Sequence, residues 1–340
     1  MNKYVKVALS LGIGILFLWY AFKEIEFSEI LEASKGATWG WLFPFALLTL
    51  FSHFIRAERW RMLFDDKSNL PHRSTLFTGV MFGYLVNIPF PRLGEVSRPV
   101  YVAQQIGESN SKLIGTVVLE RVVDLLSMLV IMGLVGFFLI SDVDVLSNLF
   151  GVNVTDPHIY KGWLINIALY GGSLALIGIF AFYLLNRWSS SESKTGKFLM
   201  RLNEGVRNFG SGISAICTLN NWPLFICYTT LIWLCYMGMT YLPFYMFDMT
   251  TTFDLTFIDA IVLTVVSAVG LSIPTPGGVG SYHIFIKLAL FYFYAVPEVI
   301  GLAYATIAHA STIVVVVICA PLLLVIEKKW AMHREATNTM

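Results

Sequence analysis

Two short stretches carry charge that an apolar chain has no ordinary reason to hold. In residues 87–98, NIPFPRLGEVSR, Arg92, Glu95 and Arg98 recur every three positions, and in residues 119–126, LERVVDLL, Glu120 and Asp124 are four apart with Arg121 between them. If both stretches are helical, each set shares a face or adjoining strips. Forked guanidinium donors suit phosphate oxygens, and neighbouring carboxylates would hold them when no ligand is bound. The plainer alternative is that the charges pair with one another and only pin the chain. Ionisable residues at bilayer depth are functional by default, which favours a binding role for Asn87, Arg92, Glu95, Arg98, Glu120, Arg121 and Asp124.

A second polar group surrounds the break PTPGGVGSYH at residues 274–283. His283 and His309 could form a protonatable pair, against the bland reading that each donates to a neighbouring carbonyl. Lys287, four residues after His283, falls on the same helical face and either snorkels or joins the site. The glycines allow close backbone approach and a sharp turn; a phosphate loop is disfavoured, since no strand precedes them and the characteristic lysine is missing. His53, His72, His158 and His333 receive no role.

Both groups must be positioned by membrane elements. The 340 residues are 56% hydrophobic and 13% charged, with mean hydropathy +0.70, the profile of an all-α polytopic membrane protein. Long apolar runs recur from end to end, so residues 1–330 form one integral membrane domain and 331–340 a short cytoplasmic tail. Nothing supports nucleic-acid binding, a cofactor or a metal. Cys217, Cys227, Cys235 and Cys319 lie in or beside apolar segments without metal-ligand spacing, as small packed residues do.

Taken in order, spans are expected at residues 7–22, 39–55, 117–140, 163–185, 224–247 and 299–326, with an acidic amphipathic stretch at 23–36 lying along the outer interface. Arg56, Arg59, Arg61, Lys67 and Arg73 are read as marking a cytoplasmic loop. Residues 75–89 would rise only about 22 Å as a helix, short of the roughly 30 Å hydrocarbon core. If that segment crossed, the later basic loop holding Arg187, Lys194, Lys197, Arg201 and Arg207 would be external, against the positive-inside rule. A re-entrant hairpin broken at Pro89, Pro91 and Gly94 removes the conflict. A second interrupted pair, 257–273 and 284–296, is broken at Pro274, Pro276, Gly277, Gly278 and Gly280, and either re-enters or crosses twice. The chain therefore reads as about six full transmembrane helices plus two re-entrant or broken-helix pairs, with both termini cytoplasmic. Two broken segments entering from opposite faces match the inverted repeats of secondary transporters, although the halves share no residue-level repeat.

The motif Asn87, slightly displaced Pro89, Arg92, Gly94, Glu95 and Arg98, followed by Leu119 to Leu126 and by Pro274-Thr275-Pro276-Gly277-Gly278-Val279-Gly280, resembles the transmembrane domain of lysylphosphatidylglycerol synthases across nearly the full chain. The resemblance implies a lipid flippase of the cytoplasmic membrane, moving an aminoacylated phospholipid between leaflets. Only 14 residues follow Ile326, so the soluble aminoacyl-transferase domain is not expected in this sequence and synthesis of the lipid is not implied. Family members often carry an acidic residue where His283 stands and a basic one near His309, which points to a different polar pairing here. The expected substrate is a membrane lipid, with a coupling ion or proton, a homo-oligomer and a separately encoded synthase left open as partners. Two rival readings are an intramembrane enzyme acting on lipid headgroups, disfavoured because no catalytic constellation has recognisable spacing, and a non-transporting partner of a lipid synthase.

Overall fold

The computed structural model describes residues 19–20, 27–64, 70–139, 210, 215–217 and 219–338. Among them the chain is helical: α1 (Phe27–Lys35), α2 (Leu42–Arg61), α3 (Arg73–Asn87), α4 (Gly94–Ile106), α5 (Asn110–Leu139), α6 (Trp222–Met246), α7 (Phe257–Ser272), α8 (Ser281–Tyr294) and α9 (Glu298–Asn338). Three stretches, Trp39–Arg61, Trp222–Met246 and Glu298–Lys329, are long and apolar enough to cross a bilayer. The spans expected at 7–22 and 163–185 and the basic loop after them lie outside the described residues. Helix α9 runs unbroken through the expected start of the tail at residue 331.

Local chemistry sets the element ends. Helix α6 begins where the Asn221 side chain accepts the Leu224 amide at 3.1 Å, with a proline in its first turn. Helix α7 begins with a capping box, in which the Asp259 carboxylate accepts both the Thr256 amide and its hydroxyl at 2.7 Å. Such reciprocal caps satisfy donors that a helix start leaves open. Helix α3 stops at Asn87 because Pro89 and Pro91 have no amide to continue it. Its partner α4 ends at Gly107 in the left-handed conformation, a geometry that glycine adopts without strain.

Two helical hairpins, α3–α4 and α7–α8, dominate the architecture, each with its own apolar core. Around the first, Trp60, Leu76, Val80, Val102, Leu113 and Val117 are packed together; around the second, Phe244, Leu263, Ile286, Leu290 and Tyr304. Helix α2 packs on α3 and α6, α5 on α4, and α9 touches both hairpins through α3 and α8. The break expected in each half is therefore present, and each break turns the chain back on itself.

The first hairpin closes more tightly than any side chain allows. A methyl group built on Gly94 would lie 1.9 Å from the Gly83 carbonyl oxygen and 2.7 Å from the Asn87 side chain, and one on Gly83 would lie 2.9 Å from Arg98 Cβ. The tips of the two hairpins also meet. A methyl on Gly277 would lie 3.5 Å from the Ile88 carbonyl oxygen, and Arg92 Nη2 donates to the Ser272 carbonyl at 2.6 Å. Gly94→Ala is expected to destabilise the fold by about 1–3 kcal/mol or more, the cost of overpacking, whereas Gly36→Ala, where a methyl meets nothing within 4 Å, leaves it unchanged. Thermal unfolding of the purified variants in detergent measures both.

Candidate functional site

The charges of the two sequence stretches come together, and they bring others with them. Helix α2 does not end at Ile55: it continues to Arg61 and carries Arg56 and Arg59 into the protein at 2% and 0% exposure. The expectation that these two arginines mark a cytoplasmic loop is thus overturned. A three-residue spacing continuing the periodicity of 39–55 was the available signal, and reading basic residues as loop markers hid it.

Asp124 on α5 is the hub. Its two oxygens accept from Arg59 Nη2 at 2.7 Å and Arg56 Nη1 at 3.0 Å, and Arg121 Nη1 lies 3.6 Å away. Glu120, one turn earlier and fully buried, lies between Arg59 Nη2 at 3.5 Å and Arg98 Nη2 at 2.9 Å. Helix α6 closes the cluster: Arg56 Nη2 donates to the Tyr236 hydroxyl at 2.7 Å and Arg59 Nη1 to the Thr229 hydroxyl at 3.3 Å. Arg121 Nε also faces Glu95 at 3.5 Å. The pairing of Glu120 and Asp124 on one face of α5 holds as expected.

Arg98 is held differently from the others. Its guanidinium carbon sits 4.0 Å from the centre of the Trp60 ring, whose Nε1 is itself anchored on the Thr116 hydroxyl at 2.8 Å. The approach to Glu120 is close but poorly aligned, so Nε, Nη1 and Nη2 of Arg98 make no directed hydrogen bond although the residue is 3% exposed. Beside it, His53 stacks on Tyr84 with ring centres 4.2 Å apart and both ring nitrogens without a hydrogen-bond partner. Nothing in the local sequence separates His53 from the apolar face that carries it.

Among the described residues the cluster joins four guanidinium groups to three carboxylates, one positive charge in excess. A pair in contact gains about 4 kcal/mol at an effective dielectric of 20, while each buried ion forfeits several kcal/mol of hydration. The network therefore has little stability to spare, and with its carboxylates shared among the arginines one positive charge has no carboxylate of its own. A monoanion with several acceptor oxygens is the ligand this arrangement suits.

Other candidates fall elsewhere. Arg92 does not share a face with Glu95 and Arg98, because α4 starts only at Gly94; Arg92 sits before it with φ +61° and reaches the end of α7. Asn87 accepts the Gly94 amide at 2.7 Å and so ties the hairpin turn. Lys287 pairs with Glu298 at 2.6 Å and pins α8 to the start of α9 instead of joining a site. His283 and His309 do face each other, with ring centres 5.3 Å apart, beside left-handed Gly277, Gly278 and Gly280. This second polar group makes no ion pair or hydrogen bond to the arginine cluster among the described contacts. The four cysteines are free, Cys235 buried and Cys217 and Cys227 exposed.

The sequence signature of the lysylphosphatidylglycerol synthase TM region matches residues 7–320. The chain belongs to that family. No curated protein and no solved structure matches it. Membership supports a membrane protein with a lipid-related role, and the family region takes in both hairpins, two of the three long apolar helices among the described residues and most of the third, Glu298–Lys329.

Glu120→Gln leaves Arg59 and Arg98 without their shared anion. Breaking a buried pair in this way costs about 3–5 kcal/mol, so the variant is expected to unfold well below the wild type in detergent. Lys35→Ala, which removes an exposed pair with Glu32, is expected to match the wild type.

Proposed function

We propose that this chain moves a phospholipid across the cytoplasmic membrane by exposing the arginine cluster alternately to the two sides. The observation that carries this reading is the cluster's excess of one guanidinium over its carboxylates, with the donors of buried Arg98 undirected at any protein acceptor. A phosphodiester carries one negative charge and acceptor oxygens that match guanidinium forks, so a lipid phosphate balances the site while its acyl chains stay in the bilayer. Arg98 takes the phosphate in this scheme. Arg56 and Arg59 supply field from behind, and Glu95, Glu120 and Asp124 hold the arginines when the site is empty.

The two hairpins provide the moving parts. Broken helices meeting at their tips form the binding region of many secondary transporters, and here the tips touch through Gly277, Ile88 and the Arg92 bond to Ser272. Charge bias along the sequence supports re-entrant hairpins and cytoplasmic termini. In the conformation described, Arg59 and Glu120 have no exposure while the Arg121 and Glu95 side chains are more than a third exposed, so the cluster opens on one side only and the tips part to admit lipid to its buried side.

Reconstitution into vesicles with leaflet-labelled phospholipids tests the reading. Wild type and Lys35→Ala are expected to relocate lipid with its headgroup intact. Arg98→Gln is expected to slow movement by about 10–100-fold, the worth of a charge-assisted hydrogen bond of about 1.5–3 kcal/mol. A wild type that moves no lipid of any headgroup, a folded Arg98→Gln that moves it at full rate, or a chemically altered headgroup would each overturn the proposal.

A further inference from the structure

The second polar group has no part in holding a phosphate, yet it sits behind the contact between the hairpin tips. The His309 ring packs against the break, its Cε1 3.4 Å from where a methyl on Gly278 would stand, and the adjoining Gly277 abuts Ile88 of the other hairpin. Nε2 of His309 is buried without a hydrogen-bond partner, a ring nitrogen placed to take up a proton. Thr306, three residues earlier and on the same face of α9, also has a buried hydroxyl without a partner. The His283 ring completes the group at 5.3 Å, its Nδ1 accepting the Gly280 amide at 3.3 Å.

The charged groups that border this site are few. From α8 come the Tyr282 ring, 4.9 Å from that of His309, and His283; the break contributes the Gly277 and Gly278 backbone, and α7 contributes Leu271, whose side chain packs on Gly278. Lys287, one turn beyond His283, is engaged by Glu298. Among the described residues no acidic side chain bonds His309, and two imidazolium charges at this spacing repel, so the pair takes up at most one proton.

We infer that His309, paired with His283, is the binding site of one coupling proton whose occupancy is linked to parting of the hairpin tips. The inference rests on the transport reading above. A cation in a closed, dry contact is costly, whereas the same cation in a parted, hydrated one is not. A proton therefore favours the parted arrangement by the difference in its affinity for the two states. Because the His309 ring packs on the glycine turn whose Gly277 meets Ile88, the charge acts at the tip contact itself. Among the described contacts none bonds the arginine cluster to this pair, so lipid and proton occupy different sites, one beside each hairpin, and are coupled through the tips.

The test uses the reconstituted full chain with a labelled anionic phospholipid and a pH-sensitive dye in the vesicle lumen. One coupled proton and a gradient of about one pH unit give about a tenfold bias in lipid distribution. Wild type is expected to show that bias, reversing with the gradient, and lipid movement is expected to shift luminal pH. His309→Asn keeps an amide donor near the Nδ1 position but removes Nε2, and is expected to abolish both responses; His283→Gln reports independently if that variant fails to fold. Lipid movement by wild type that ignores the gradient and leaves luminal pH unchanged would overturn the proton site while the transport reading stands. No lipid movement at all would remove both. Full gradient response in folded His309→Asn and His283→Gln would overturn the assignment to these residues.

Discussion

Keeping guanidinium groups charged inside an apolar helix bundle is the constraint on which the first half of this protein depends. Arg59, at zero exposure, needs acceptors from several directions. It finds them only because α5 presents Asp124 and Glu120 one turn apart and α6 presents Thr229 at the same level. That requirement fixes how α2, α5 and α6 approach one another, and the α3–α4 hairpin then delivers Arg98 into the remaining side. The gains from contact and the hydration given up are of similar size. Such a network specifies an arrangement more than it stabilises one, and an arrangement with an unbalanced guanidinium has the character of a site.

The two hairpins share a plan and differ in chemistry. Each consists of two short helices joined at a break rich in proline and glycine, and each gathers its own apolar core. The first is drawn together by glycines at positions 83 and 94 and carries charge inward on α4. The second turns through left-handed glycines and carries imidazole. Arg92, held with φ +61°, spans the gap between them. A non-glycine residue in that region costs about 1–3 kcal/mol, which the contact it makes across the tips offsets.

Much of the fold was legible from composition and punctuation alone. Hydropathy marked the long helices, and proline with glycine marked both breaks, because a missing amide and a permissive backbone act locally. The pairing of Glu120 with Asp124 was also readable, since helical periodicity puts residues four apart on one face. Arg56 and Arg59 were misread for a local reason too: at the end of an apolar run, a basic cluster normally signals the water interface. His53 left no trace at all, because a single imidazole on an apolar face has no pattern.

The sequence by itself determined that this is a helical membrane protein of the lysylphosphatidylglycerol synthase transmembrane family, where its chain breaks, and that Arg98, Glu120 and Asp124 carry charge in an apolar setting. Only the tertiary structure decided which charges meet. Arg59 and Asp124 are 65 residues apart, and Arg92 and Ser272 are 180 apart; no local rule links positions so distant. It also divided one list of polar candidates into two sites, an arginine cluster and a histidine pair, and assigned Asn87 and Lys287 to holding the backbone and helices in place. Periodicity reports which way a side chain faces on its own helix, whereas the partner it finds there depends on how the helices pack.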